Sequence, residues 1–274
     1  MDWIAFAPAD VRRDLELFSG SAKQFIFISS ASIYQKPPEH YLITEETPRV
    51  NPHWDYSRAK IACEDELMAA HRASGFPVTI VRPSLTFGED QVPLALNAWK
   101  QSWTVVDRMR RGAPVIIPGD GTSLWTITHN TDFARGFIGL FGHPGALGQA
   151  VQITSDEVLT WNQIFQQTAA AAGAHNARFV HIASDFIIAC APDTEGSLVG
   201  DKSVSTVFDN SKLKRLVPGF SAQTTFAEGI KRTIAWFDAH PDQKIVDAET
   251  NQRWDKLVAA YEAGLAGAKR QFGA

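Results

Sequence analysis

A tyrosine and a lysine, Tyr56 and Lys60, stand four residues apart in the segment "DYSRAK". This segment is typical of a helix start after a loop. A helix repeats about every 3.6 residues, so the two side chains share one face. A phenol is a poor base at neutral pH because its unperturbed pKa is about 10. A positive charge within about 4–6 Å lowers that pKa. The spacing therefore predicts an acid/base pair in which Lys60 lowers the pKa of Tyr56.

Serines stand where a strand is predicted to end. The apolar segment "QFIFISS", residues 24–30, predicts a buried strand, and Ser29, Ser30 and Ser32 lie at or just after its carboxyl end. Ligands of open α/β sheets bind at this edge. A serine hydroxyl there would hold a substrate oxygen, while Tyr56 exchanges its proton and hydride moves to or from a nicotinamide.

Strand and helix signals alternate along the first third of the chain. Residues 2–7, "DWIAFA", are almost wholly apolar, as expected of a strand buried on both faces. Pro8 suits the first turn of a helix over 8–18, and residues 78–83 read as a further strand. The alternation predicts an α/β fold, a parallel sheet with helices on both faces.

The remaining chain is less regular. Helices are predicted near 99–111 and over 131–141, the second capped by Thr131. Short strands "PVIIP" and "AVQIT" lie between helices, and two amphipathic helices close the sequence. We expect a smaller α+β lobe at the C-terminal end.

Four segments occur in a telling order: "FIFISSASIY", "YSRAK", "VTIVRPSLTFG" and "PGDGTSLWTITHNTDFARG". Together they resemble the extended short-chain dehydrogenase/reductases, most of all the NAD-dependent epimerase/dehydratase family, over nearly the whole chain. The resemblance implies a Rossmann-like fold, NAD or NADP as cofactor, and hydride transfer with a sugar-like or other hydroxylated small molecule.

The resemblance also implies residue roles. Tyr56 would be the catalytic acid/base, Lys60 would tune it and bond the nicotinamide ribose, and Ser30 would bind the reacting oxygen. The cofactor would further contact Phe6, Ala7, Ser29, Pro83 and Ser84. The substrate would contact Ser32 and His129. Both His129 and Asp132 keep the family pattern, and each would equally suit a structural role that caps the helix at 131.

Two departures from the family pattern concern the substrate. Dehydratases of the family carry an acidic pair after the catalytic serine, whereas this chain has Ala31 and Ser32, which disfavours dehydration. Nucleotide-sugar enzymes commonly place an arginine after the "GDG" turn to hold the diphosphate. Here Leu124 and Trp125 stand there, which argues against a UDP- or dTDP-sugar.

The largest departure is at the N-terminus. The family begins with a strand, a glycine-rich turn and a helix that bind the pyrophosphate, whereas residues 2–7 resemble its fourth strand. We therefore expect about 60–80 residues to be missing, and weak or no NAD(P) binding by this chain alone. Residues 1–95 would form a partial NAD(P)-binding Rossmann domain to which 113–155 return, and 96–274 would form mainly the substrate-binding lobe.

Composition narrows the partners. A net charge of −4 gives no reason to expect nucleic acid, and no apolar run approaches the roughly 20 residues that cross a bilayer. Two cysteines and no basic leader segment indicate a reducing compartment, so we expect a cytoplasmic protein. No histidine or cysteine spacing predicts a metal site. "GFIGLFG" (136–142) matches a phosphate-loop spacing, but inside a predicted helix, so we expect no phosphate there.

Three functions remain open. The first is an NAD(P)-dependent oxidoreductase or epimerase. The second is a non-catalytic binding or regulatory protein on the same fold, such as the RNA-binding relatives in this broad family. The third is an inactive truncated fragment. A homodimer is possible if the helix of Tyr56 packs on its symmetry mate through apolar positions such as Cys63 and Leu67, which would equally suit the sheet.

Overall fold

The computed structural model describes residues 1–98 and 100–273. The strands are β1 Phe25–Ile28, β2 Leu42–Ile43, β3 Val78–Pro83, β4 Leu85–Phe87, β5 Pro114–Pro118, β6 Leu124–Trp125, β7 Ile127–His129, β8 Gln149–Ile153, β9 Leu159–Thr160, β10 Arg178–Ile182 and β11 Val207–Phe208. The helices are α1 Pro8–Phe18, α2 Asp55–Ser74, α3 Trp103–Arg110, α4 Asn130–Gly139, α5 Trp161–Ala171, α6 Ser184–Cys190, α7 Glu195–Ser197, α8 Ser211–Leu216, α9 Phe226–Ala239 and α10 Ala248–Gln271. Within this part of the chain, no helix is long and apolar enough to cross a membrane.

The chain divides into two compact units. The first is made of residues 1–86, 124–158 and 199–225, and the second of residues 87–123, 159–198 and 226–274. The division thus falls earlier than the predicted boundary at 95, and the strand β5 belongs to the second unit. The predicted helix over 99–111 begins at Trp103, and Trp99 lies outside the described residues.

The first unit is built on a parallel sheet in the order β1–β3–β8. Successive side chains of a strand point to opposite faces, so both faces of these apolar strands are buried. One face packs on α1 and α2 through Phe25, Phe27, Val78, Ile80, Val11, Cys63 and Leu67. The other packs on α4 and α8 through Ile26, Ile28, Val81, Phe133, Phe137 and Leu213. The predicted parallel α/β fold with helices on both faces is confirmed.

The predicted strand over residues 2–7 is wrong except at one residue. Asp2 forms a single parallel bridge with Phe27, and its amide donates to the Ile26 carbonyl at 2.8 Å. Beyond it the backbone leaves the sheet, because Asp2 Oδ1 accepts bonds from the amides of Ile4 and Ala5. Ile4 is consequently 80% exposed, where burial on both faces was expected.

Helix α2 carries the candidate acid/base pair and is 20 residues long. It ends at Gly75, whose φ of 72° is the left-handed conformation that glycine adopts without a Cβ clash. Cys63 and Leu67 are fully buried against the sheet. These two positions therefore serve the core of the unit, and they are not free to form the dimer face considered above.

The second unit contains a separate parallel pair, β5 with β10. Thr160 and Gln163 form a reciprocal capping box at the start of α5, which satisfies amides that a helix start leaves unpaired. The guanidinium of Arg108 is buried and bonds Asp255 at 2.6 Å and Asn251 at 2.8 Å, which ties α3 to α10.

Candidate active site

Tyr56 lies in the first turn of α2 and is partly buried among aromatic rings. Its ring centroid is 5.0 Å from that of Trp54 and 6.4 Å from that of Phe6. Ser30, just beyond the carboxyl end of β1, is the side chain that hydrogen-bonds its phenol. The predicted meeting of the strand-end serine and the helix tyrosine is therefore present within the first unit.

A chain of hydroxyl groups holds Ser30 in place. Its hydroxyl donates to Ser32 Oγ at 2.9 Å, and Ser57 Oγ donates to the same oxygen at 2.9 Å. The Asn51 amide bonds the Ser32 carbonyl at 2.7 Å and Ser57 Oγ at 3.2 Å. Ser32 is almost fully buried, so its contacts are those of a residue that positions Ser30.

The side chain of Lys60 extends toward the N-terminal segment and β1. Its ammonium donates to the carbonyl oxygens of Ala5 and Ile28, both at 2.8 Å, and lies 4.8 Å from the ring centroid of Phe6. The distance to the ring centroid of Tyr56 is 5.9 Å. Burial lowers the pKa of Lys60. The lysine therefore anchors α2 to the N-terminal segment and to β1.

The pKa of Tyr56 is raised, so the expected lowering by Lys60 is wrong in direction. Burial is the largest cause and Asp201 also raises the pKa, whereas the hydrogen bond with Ser30 lowers it. The phenol consequently carries its proton at neutral pH and is suited to donate it.

Asp201 belongs to a second group of charges beside Tyr56. Its Oδ2 accepts a bond from Lys202 Nζ at 2.9 Å, and its Oδ1 lies 3.8 Å from Lys36 Nζ. The Lys36 ammonium also lies 5.4 Å from the ring centroid of Trp125. The side chain of Lys36 is 1% exposed.

Helix α2 is fixed to β3 by a buried ion pair. Arg82 donates to both carboxylate oxygens of Glu64, at 2.9 and 2.6 Å, and to the Tyr34 hydroxyl at 3.2 Å. Tyr34 in turn donates to Gln152 Oε1 at 3.0 Å. Glu64, the first residue of the acidic run 64–66, is thereby buried and does not belong to a solvated helix face.

The remaining predicted cofactor residues lie before α1 and at the carboxyl ends of β1 and β3. Ser84 donates to the Thr126 carbonyl at 3.2 Å and follows Pro83, at the carboxyl end of β3. The Ser29 hydroxyl is buried and has no hydrogen-bond partner among the described residues. Phe6 and Ala7 precede α1, and their amides both donate to Asp10 Oδ2.

His129 serves as the N-cap of α4. Its Nδ1 accepts from the Thr131 amide at 3.4 Å and lies 2.8 Å from Thr131 Oγ1. The cap was predicted at Thr131 and lies two residues earlier. Asp132 accepts from the amides of Gln223 and Thr224, at 3.1 and 2.8 Å. The sequence allows His129 and Asp132 either a contact with substrate or a structural role at the start of α4. The contacts described here are structural.

The residues present fit the nicotinamide end of NAD(P). The orphan hydroxyl of Ser29 lies at the sheet edge, and Lys60 has a third N–H beyond the two that it donates. The pyrophosphate end fits less well, because Asp10 already accepts from the amides at the start of α1. Across residues 1–98 and 100–273, no glycine-rich turn joins a strand to a helix, and "GFIGLFG" lies in and just after α4.

A family model described as "NAD dependent epimerase/dehydratase family" matches residues 13–154, which include Ser30, Tyr56 and Lys60. The chain belongs to this family.

Relatives of two kinds match. A trifunctional UDP-glucose 4,6-dehydratase/UDP-4-keto-6-deoxy-D-glucose 3,5-epimerase/UDP-4-keto-L-rhamnose reductase of Arabidopsis thaliana is 24% identical over 82% of the chain and 30% of the relative. The chloroplast stem-loop binding protein of 41 kDa b of the same plant is 27% identical over 58% of the chain and 39% of the relative. The chain thus spans about a third of the length of these relatives.

Solved structures share the fold. The UDP-glucuronic acid 4-epimerase of Bacillus cereus in complex with NAD superposes with a TM-score of 0.67 at 19% identity. The match covers 87% of this chain and 67% of that one.

Sequence reasoning missed several residues that shape the site. Asn51 and Trp54 precede Tyr56 by a few residues, and an asparagine before a helix start is a detectable signal. Asp201 and Lys36 are far from Tyr56 along the chain, and only the fold brings Asp201 beside it. No local pattern identifies such a long-range neighbour.

Proposed function

We propose that this chain is the catalytic part of an NAD(P)-dependent enzyme that epimerises or reduces a sugar-like substrate. The observation that carries the proposal is the hydrogen-bonded pair of Ser30 and Tyr56, with Lys60 one helical turn further on. Membership of the family and the activities named for its relatives support the same reaction class. The absence of a carboxylate at Ala31 and Ser32 supports epimerisation or reduction over dehydration.

Tyr56 is the proton donor in this mechanism. Burial raises the pKa of the phenol, so at neutral pH the phenol is protonated and can transfer its proton to a substrate carbonyl oxygen. Ser30 holds that oxygen, and Ser32, Ser57 and Asn51 fix the orientation of Ser30. When bound, a reduced nicotinamide would supply the hydride to the carbonyl carbon in this step. Ser29, Ser84 and Lys60 would hold its ring and ribose.

A second function, a non-catalytic binding protein, is favoured by one observation. The ammonium of Lys60 is already bonded to two carbonyl oxygens. A lysine held in this way would suit a fold that has kept its residues and lost its reaction. The similarity to a stem-loop binding protein is consistent with this second function.

The experiment is a titration of the chain with NADH and NAD⁺, followed by tryptophan fluorescence and calorimetry. Trp54 lies against Tyr56, so the Trp54→Phe variant should lose most of the fluorescence response while keeping the calorimetric signal. A version extended by upstream coding sequence is titrated in parallel.

Binding by either version, weakened at least about tenfold in Ser29→Ala/Lys60→Ala, supports the enzyme. The matched control is Lys23→Ala, at an exposed position. Absence of NAD(P) binding by both versions overturns the proposal and leaves the binding protein as the better account.

A further inference from the structure

Lys36 is the most poorly paired buried cation of the candidate site. Its side chain is 1% exposed, and the carboxylate nearest to its ammonium, Asp201 Oδ1, is 3.8 Å away. That separation is too long for a hydrogen bond. The structure gives Lys36 Nζ no hydrogen-bond acceptor within residues 1–98 and 100–273. Asp201 is itself already neutralised by Lys202 at 2.9 Å.

A buried ammonium without hydrogen bonds is costly. Transfer of an ion from water to the protein interior costs several kcal/mol unless a partner compensates it. The other deeply buried cations are hydrogen-bonded: Arg82 bonds Glu64 through two nitrogens, Arg108 bonds Asp255, and Lys60 bonds two carbonyl oxygens. Burial lowers the pKa of Lys36 to about 8, so the group still carries its charge at neutral pH. A purely structural role therefore explains Lys36 poorly.

The position of Lys36 connects it to the reaction centre. Asp201, its nearest carboxylate, is also the charge that acts on the Tyr56 phenol. The ammonium also lies 5.4 Å from the ring centroid of Trp125. Thr126 follows that tryptophan in the chain, and the Thr206 amide bonds the carbonyl of the preceding residue, Leu124, at 3.0 Å. The buried hydroxyls of Thr126 and Thr206 have no hydrogen-bond partner among the described residues.

We propose that Lys36 binds an oxyanion, a carboxylate or phosphate, carried by the substrate whose hydroxyl or carbonyl meets Tyr56. The proposal rests on the proposed function for the location of the substrate. A cation held beside the acid/base pair without a hydrogen-bond partner has its donors free for the ligand, so binding breaks no strong contact. Lys36 thereby selects anionic over neutral sugars.

The experiment compares the wild-type chain with Lys36→Met, which keeps the length and apolar stem of the side chain. The probes are UDP-glucuronate, UDP-glucose, glucose 6-phosphate, glucose and inorganic phosphate, each measured by calorimetry and by the shift in melting temperature. Lys23→Met, at an exposed position, is the matched control. NADH binding is measured on the same samples.

The wild type is expected to bind at least one anionic probe, and Lys36→Met to bind it at least tenfold more weakly with unchanged NADH binding. If Lys36→Met weakens the binding of UDP-glucuronate but not that of UDP-glucose, the group that Lys36 binds is a carboxylate. If Lys36→Met weakens the binding of UDP-glucuronate, UDP-glucose and glucose 6-phosphate equally, the group is a phosphate. Equal affinities of wild type and Lys36→Met for every anionic probe overturn the proposal, as does the absence of any anionic binding. Anion binding without NADH binding supports Lys36 and counts against the proposed function alone.

Discussion

Two buried ionic groups lie near the candidate site, and they differ in how completely they are paired. The Glu64–Arg82 pair has two charge-assisted hydrogen bonds and a further bond to Tyr34. The Lys36–Asp201 pair is held only at 3.8 Å. A fully bonded buried pair fixes structure, whereas an underpaired buried charge costs stability. The first therefore positions the candidate site and the second is available to a ligand.

The largest effect should follow from breaking the complete pair. Arg82→Met leaves the carboxylate of Glu64 buried with one hydrogen bond from Arg49, at 3.3 Å, and we expect a loss of about 3–5 kcal/mol of unfolding free energy. Urea denaturation measures it. The control Arg12→Met removes an exposed pair with Glu66 and should change the free energy by less than about 1 kcal/mol. If Arg82→Met lost no more unfolding free energy than Arg12→Met, the proposed difference between the complete Glu64–Arg82 pair and the incomplete Lys36–Asp201 pair would be contradicted.

The opposite sign is expected for the incomplete pair. Lys36→Met removes a poorly compensated buried charge while Asp201 keeps Lys202, so unfolding free energy should rise by about 1–3 kcal/mol. Because the pKa of Lys36 in the folded state is about 8, below its ordinary 10.5, the wild type gains stability as pH rises between these values. The advantage of the variant should therefore shrink over that interval. A destabilised Lys36→Met at neutral pH contradicts the account.

A smaller, pH-dependent effect is expected at the N-terminal segment. Burial, and then the hydrogen bond to Asp2 and its charge, raise the pKa of Asp14 to about 7, from an ordinary 3.8. The folded state thus holds a proton that the unfolded chain has released, so stability should fall as pH rises from about 4 to about 7. Asp14→Asn should flatten this part of the stability curve, and Glu16→Gln on the same helix should not. A curve unchanged in Asp14→Asn would show that the two carboxyl groups do not share a proton.

The sequence was informative where local rules act. The buried strands β1 and β3, the helix of Tyr56 and Lys60, and the meeting of a strand-end serine with that tyrosine follow from periodicity and parallel topology. The strand predicted over residues 2–7 was wrong because apolar content alone does not determine a strand. Asp2 turns the backbone away from the sheet after one bridge. The prediction of a lowered pKa for Tyr56 was wrong for a related reason. Spacing places Lys60 on the right face but does not reveal the carbonyl oxygens of Ala5 and Ile28 that hold it.

Oxidation of the reduced cofactor by a keto sugar tests the central claim most directly. The chain and its upstream-extended version are mixed with NADH or NADPH and UDP-4-keto-6-deoxy-D-glucose or fructose 6-phosphate, and the absorbance of reduced nicotinamide is followed. The account predicts that the absorbance falls and that Tyr56→Phe slows its fall by about 10²–10⁴-fold, whereas Tyr41→Phe, at an exposed tyrosine, does not. Equal rates in Tyr56→Phe and the unaltered protein would contradict the assignment of Tyr56 as the group that transfers the proton.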